Sequence, residues 1–403
     1  DLYYWTYGHN ALDVLCIENA TSRSLWFEPE GESLMAIDLA YAASDGKPMW
    51  IINKLLSQMD KPKRYGGRVY NLYRYNPSRD RQELYMASGI SKGTMLETRV
   101  LQPGHARRLN KEVIKYDQLI ADYYTFQAEH DRFFTNQEKV TDIALVTSSL
   151  SWLYNPEMEK SFYGIGEVLL KKHYPFDILV AEKLTSQSLS KYNTVITCGL
   201  PVLSRKKAGI LMDFAQEKGH LILSGDFGEF DTDFARRNYS LFDKLNSERE
   251  DVKITVLPFG GNQLYQKFSE RVEDVGKATN LIEAINKSSE HVISLEGDGA
   301  PLIVAELRKG KNAYHLHMLN YNFNLLAPDA PEEKKLEKEN VIPAHDIQIK
   351  INKEFLNFPV NKAVGYTVGN KATQLNMKSE KEHWIIDAGV LRVFKIVELT
   401  NEK

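Results

Sequence analysis

The stretch from Val140 to Asp231 constrains this chain most, because its succession of strand, helix and strand suits only a wound parallel sheet. Thr141-Asp-Ile-Ala-Leu-Val-Thr-Ser-Ser149 is an apolar run ending in small polar residues, as expected where a buried parallel strand reaches its carboxyl edge. Phe162 to Lys172 has apolar residues at helical spacing and is stopped by Tyr174-Pro175. Asp177-Ile-Leu-Val180 reads as a second strand and Thr194-Val-Ile-Thr197 as a third, each reached by a crossover too long for a hairpin. Leu203-Ser204 can cap a helix from Ala208 to Glu217, which Lys218-Gly219 ends, and His220-Leu-Ile-Leu-Ser-Gly-Asp226 is the fourth strand. Four such units predict a small doubly wound sheet, flavodoxin-like in class.

Upstream, Asp13-Val-Leu-Cys-Ile-Glu-Asn19 and Pro48-Met-Trp-Ile-Ile-Asn53 read as strands, with a helix from Ser33 to Ala43 between them. A loop from Lys54 to Pro77, a helix from Arg79 to Ser91, a strand at Gly93-Thr-Met-Leu-Glu-Thr98 and a long helix from Ala106 to Phe134 follow. Val113, Ile114, Leu119, Ile120, Tyr124 and Phe126 give that last helix one apolar face. Three βα units with long loops after the strands look like the last three-eighths of a (β/α)₈ barrel. Open hydrophobic strand edges need cover, so the missing neighbours are expected from a longer precursor or from another chain.

Downstream of a helix around Asp274 to Ser288 the pattern becomes short strands, several alternating in period two, as at Ile347, Ile349 and Ile351. A small antiparallel β-sandwich follows. The charged run from Pro328 to Asn340 reads as an exposed loop. The expected α/β organisation is therefore a partial (β/α)₈ barrel over 1–137, a flavodoxin-like doubly wound parallel sheet over 138–290 and a β-sandwich over 291–403.

The 403 residues are 43% apolar and 26% charged, an ordinary composition for packed domains. No run approaches eighteen uncharged apolar residues, so no membrane span is expected. A net charge of −3 argues against nucleic acid as a partner, whose binding footprint is basic. Cys16 and Cys198 sit in apolar runs and read as buried free thiols. The chain begins at Asp1 without an initiator Met, and Asn19-Ala-Thr21, Asn238-Tyr-Ser240 and Asn286-Lys-Ser288 fit the glycosylation tripeptide. Both features point toward an extracellular or cell-surface setting rather than the cytoplasm.

Taken with Ile143–Val146, Leu200-Pro-Val-Leu-Ser204, Lys218–Asp226 and His315-Leu-His-Met-Leu-Asn-Tyr321, this order of parts resembles the back half of family 42 β-galactosidase-like glycoside hydrolases. The resemblance implies a glutamine amidotransferase-like middle domain that serves trimerisation and has lost its chemistry. It also implies hydrolysis of O-glycosidic bonds by paired carboxylates, carbohydrate as partner, a homo-oligomer such as a trimer, and no cofactor.

Candidate site residues follow from strand ends. The resemblance places a nucleophilic Glu where this sequence has Ile52-Asn53-Lys54, a departure that puts the usual mechanism in doubt. Glu18 ends the first strand and Glu97 lies in the third; both can face a barrel mouth as catalytic carboxylates, or serve structure by bonding loop amides and pairing with Arg99. Trp26, Trp50 and Tyr65 can stack on sugar or pack as a lid, and Asn19 and Asn53 can bond hydroxyls or cap turns. His315 and His317 share a strand face but lack a carboxylate at matching spacing, so no metal site is expected. Two other readings stand: a non-catalytic surface or assembly protein on a glycosidase scaffold, and an amidotransferase-like hydrolase with Ser224 or Cys198 as nucleophile.

Overall fold

The computed structural model describes residues 6, 14–20, 32–54, 57–58, 63–65, 68–70, 73–75, 78–98, 117–217, 219–269, 274–324 and 340–401. It is a mixed α/β fold with parallel and antiparallel sheets. The first segment runs β1 (Leu15–Ala20), α1 (Glu32–Ala43), β2 (Met49–Lys54), α2 (Arg79–Ser91), β3 (Met95–Thr98) and α3 (Asp117–Glu129). The strands form a sheet in the order β1-β2-β3, with β2 and β3 parallel. Ser78 caps α2 by accepting from the Arg81 backbone N–H at 3.4 Å. The expected Lys54–Pro77 loop instead holds two short antiparallel ladders, Ser57–Gln58 with Tyr73–Tyr75 and Lys63–Tyr65 with Arg68–Tyr70.

The long helix also differs from expectation. Within α3 the buried residues are Leu119, Tyr123 and Phe126, spaced i, i+4, i+7, while Tyr124 is 40% exposed. Two adjacent tyrosines give either face an aromatic, and tertiary packing selected Tyr123. Val113 and Ile114 lie outside the described residues, as does the charged run from 328 to 339.

Next come β4 (Ile143–Thr147), α4 (Glu157–Lys171), β5 (Asp177–Val180), β6 (Thr194–Val202), α5 (Arg205–Glu217), β7 (His220–Phe230), β8 (Ile254–Leu257), α6 (Gly261–Ser269) and α7 (Val275–Ile285). The sheet order is β5-β4-β6-β7-β8 and every neighbouring pair is parallel. That is the 2-1-3-4-5 order of doubly wound sheets. It has five strands where the sequence suggested four, because β8 is a four-residue edge strand that is mostly half-exposed.

Alternation along the strands fills both faces. Ala144, Val146, Val195, Leu221 and Leu223 pack with Ala208, Leu211, Met212 and Ala215 of α5. Ile143, Leu145, Ile196 and Ile222 point to the other face and are no more than 1% exposed. On the α4 side, Gly164 lets α6 approach until a Cβ there would lie 2.1 Å from the Gly261 carbonyl. Gly166 seats the buried Met35 of α1 in the same way.

The chain ends in β9 (Ile293–Asp298), β10 (Ile303–Lys309), β11 (Ala313–Asn320), β12 (Ala344–Asn352), β13 (Lys362–Tyr366), β14 (Thr373–Gln374), β15 (Met377–Ser379), β16 (His383–Leu391) and β17 (Phe394–Thr400). One antiparallel sheet runs β9-β12-β16-β15, and a larger one carries β14-β13-β17-β11-β10 in that order. Ile347, Ile349 and Ile351 are fully buried, as their alternation predicts. β11 is buried at every position, so both its faces are covered, one of them in part by α2.

By internal contacts the residues gather into two compact units. One holds Asp1–Leu15, Glu28–Pro48 and Lys139–Val292, and the other Cys16–Phe27, Met49–Glu138 and Ile293–Lys403. The parallel sheet with α1 thus belongs to the first, and the β1-β2-β3 sheet belongs with the terminal antiparallel strands.

Candidate functional site

The three-stranded sheet carries most of the residues singled out from the sequence. Glu18 and Asn19 lie in β1, Trp50 and Asn53 in β2, and Glu97 in β3, so the two glutamates stand on the strands flanking β2. Two interstrand steps separate those backbones by roughly 10 Å. In the β2–β3 ladder Trp50 stands opposite Met95, Ile52 opposite Glu97, and Asn53 opposite Thr98. Glu97 and Asn53 therefore occupy positions of opposite pleat parity. Tyr65 belongs to a different ladder, in the short strand Lys63–Tyr65, and Trp26 is outside the described residues.

The two nucleophile candidates occupy the carboxyl end of the parallel sheet. Ser224 pairs with Cys198 across β6 and β7, and both are fully buried. Burial pushes the Cys198 thiol well above its ordinary range, which keeps it protonated and unreactive. The Ser224 hydroxyl donates to the Phe259 carbonyl at 3.0 Å. Gly225, at φ +77°, makes the turn beyond it. His220 sits four residues away at the opposite end of β7, about 13 Å along the strand. Its ring nitrogens bond Ser288 Oγ at 3.0 Å and Thr255 Oγ at 2.8 Å. No base is thus within hydrogen-bonding reach of Ser224 through His220, and the hydroxyl is occupied.

A cleft of about 410 Å³ opens at the carboxyl ends of β4, β5 and β6, lined by Ser148, Glu182, Ser204, Lys207 and Thr232 among others. This is the topological switch point, where doubly wound sheets receive ligands. Glu182 is committed to structure there: Ser148 Oγ donates to its Oε1 at 2.8 Å and the Leu150 backbone N–H at 2.9 Å. A second cleft, about 610 Å³, runs beside Gly225–Gly228 and Arg236–Phe242.

Sequence reasoning missed a buried polar layer between β10, β11 and β17 and the residues after α2 and α3. Glu306 binds Lys92 and, at 3.0 Å, Arg308. Arg132 donates to both oxygens of Glu398, at 3.0 and 3.3 Å, and Tyr366 Oη donates at 2.8 Å. His315 bonds Gln137 at 2.9 Å and reaches toward Glu398 at 3.5 Å. Burial alone would raise the Glu398 pKa, but His315, Arg132 and Tyr366 outweigh it and hold the carboxyl at about 2. Glu306 and Arg308 on β10, like His315 and His317 on β11, repeat at period two and share one face, a pattern that in the sequence alone reads equally as a solvent-facing side. Among the described residues no group of three or more His, Cys, Asp or Glu is placed to hold a metal ion, and no helix is long and apolar enough to cross a membrane.

The sequence matches no protein-family model and no curated protein. Its fold does match solved structures. α-L-Fucosidase isoenzyme 2 from Paenibacillus thiaminolyticus superposes with a TM-score of 0.60 at 14% identity, over 98% of this chain and 66% of that one. The β-galactosidase from Bacillus circulans sp. alkalophilus gives 0.58 at 12% identity, over 98% and 61%. Gan42B, a GH42 β-galactosidase from G. stearothermophilus, gives 0.60 at 10% identity, over 98% and 61%. The chain therefore spans 61 to 66% of the length of these structures and shares their fold along nearly all of its own.

Proposed function

We propose that this chain is part of a glycoside hydrolase-like protein that acts on or binds carbohydrate. The observation that carries the reading is the fold likeness over 98% of the chain to a fucosidase and to β-galactosidases. In this reading β1, β2 and β3 are the end of a (β/α)₈ barrel whose other strands lie outside these 403 residues. Met95, at the start of edge strand β3, is 45% exposed, which supports an edge that a further strand covers. The parallel-sheet unit serves assembly into a homo-oligomer, and the terminal strands form a sandwich.

Glu18 and Glu97 are the candidate carboxylates of this chain, and hydrolysis, which needs one carboxyl to protonate the glycosidic oxygen and one to attack or activate water, would pair Glu18 with a carboxylate from residues outside these 403. Asn19, Trp26, Trp50, Asn53 and Tyr65 are the candidate sugar contacts. The native protein should hydrolyse an aryl β-galactoside or an aryl α-L-fucoside, and E18Q should lower kcat at least 100-fold while leaving the fold intact.

A second reading, a non-catalytic scaffold that retains the architecture, is favoured by Asn53 and Lys54 at the end of β2, where the family resemblance calls for Glu. No activity of the native protein on any glycoside tested would select it, whereas full activity in E18Q and E97Q would move the catalytic carboxylates to other residues. The amidotransferase-like alternative is disfavoured by the occupied Ser224 hydroxyl and the buried Cys198 thiol.

A further inference from the structure

Beyond the end of β7 the chain turns back on itself. Phe230 bridges Arg236, the Asp231 backbone N–H donates to the Ala235 carbonyl at 3.1 Å, and the Phe234 N–H donates to the Asp231 carbonyl at 3.1 Å. Arg237 fastens the base of this excursion, donating to the carbonyls of Gly228 and Leu203, each at 2.8 Å, and to that of Phe230. The tip is thus held in one shape before anything binds to it.

That shape is strained at one residue. Phe234 has a φ of +63°, a left-handed conformation that a bulky side chain rarely adopts, and the residue is 38% exposed. Tyr154, at the end of the helix Ser149–Tyr154, is 44% exposed. Its ring lies within 18° of parallel to that of Phe234, with centroids 6.3 Å apart, and Phe230 supports it from 4.5 Å. Asp231, Thr232 and Asp233 border this shelf, the last two exposed. Packing does not require such an arrangement, because a Gly at 234 would make the turn without strain.

We propose that the Tyr154–Phe234 shelf is a carbohydrate-binding site, separate from the β1-β2-β3 strands, that stacks a neutral sugar chain on the two rings while the flanking aspartates and Thr232 bond its hydroxyls. The choice of ligand rests on the carbohydrate reading above. Near-parallel rings with hydrogen-bonding rims match the C–H face and hydroxyl edge of a pyranose. The acidic rim disfavours sulfated glycans.

The test is native affinity electrophoresis of the full chain in gels containing β-1,4-galactan, fucosylated xyloglucan or, for contrast, a sulfated carrageenan. Retardation is expected in a neutral gel and not in carrageenan, with affinity falling at least tenfold in Y154A and in Phe234→Gly but retained in Phe234→Tyr. Phe234→Gly keeps the turn, so its thermal stability should be unchanged or higher. No retardation in any neutral gel, unaltered retardation of Phe234→Gly, or loss of self-association in Phe234→Gly on sedimentation would each overturn the proposal. Glycosidase activity without binding would remove the shelf alone, and binding without activity would remove only the catalytic part of the carbohydrate reading.

Discussion

His317 stands directly opposite Glu306 in the β10–β11 ladder, yet the Glu306 carboxylate is taken by Lys92 and Arg308, and among the described residues no side chain bonds either nitrogen of the buried imidazole, which the Phe133 backbone approaches. Burial, with Arg308 and His315 adding to it, depresses the His317 pKa well below its ordinary value. The folded state therefore holds this histidine neutral while the unfolded chain would accept a proton below pH ~6.5.

Stability should accordingly be full above pH ~6.5 and fall as pH drops, by up to about 1.4 kcal/mol per pH unit while His317 stays neutral in the fold. Glu398 adds a second loss at lower pH, between its unfolded range near 4.5 and its folded value of about 2. Urea unfolding across pH 4.5–8 should show the upper slope shrinking in His317→Leu. An unchanged slope would place the acid sensitivity elsewhere.

Lys92 and Glu306 form a pair whose side chains are only 1% and 8% exposed. Removing the cation leaves Arg308 to compensate Glu306, so Lys92→Met should cost about 3 kcal/mol, at the lower end for breaking a buried pair. The loss should resist 0.5 M salt, because buried charges are poorly screened. A change below about 1 kcal/mol by chemical denaturation would show that Arg308 suffices.

These polar residues also mark where the sequence stops being legible. The wound sheet could be read because β4, β6 and β7 are continuous apolar runs, and Ile347, Ile349 and Ile351 announced their buried face. Glu306, Arg308, His315 and His317 alternate just as a wet face would, and nothing local says that Phe133, Phe134 and Lys92 cover them. Strand β8 was too short to signal itself, and the choice of Tyr123 over Tyr124 came from packing. The site was legible as residue types at strand positions. Their register was not, since the parity difference between Glu97 and Asn53 depends on strand pairing.

Two helical glycines should respond in opposite ways to Ala. A Cβ at Gly164 would lie 2.1 Å from the Gly261 carbonyl and 2.7 Å from the Tyr265 amide, both backbone atoms that cannot give. Gly164→Ala should therefore lower stability by about 2–3 kcal/mol. Gly209, inside α5, would bring its Cβ no nearer than 3.9 Å to Arg249. Gly209→Ala should raise stability by about 0.5–1 kcal/mol. Melting temperatures moving in the same direction would contradict the α4–α6 contact.

Cys198 and Ser224 permit a prediction about chemistry. They stand side by side on β6 and β7 without exposure, the thiol raised by burial and the hydroxyl bonded to Phe259. Iodoacetamide labelling of the native protein, followed by peptide mass analysis, should leave Cys198 unmodified until denaturant is added. Ser224→Ala should cost only about 1 kcal/mol, the worth of a buried hydrogen bond, and should leave any glycosidase rate unchanged. Rapid alkylation of Cys198 in the folded state would instead require a thiolate that this packing does not allow, and would favour the amidotransferase-like reading.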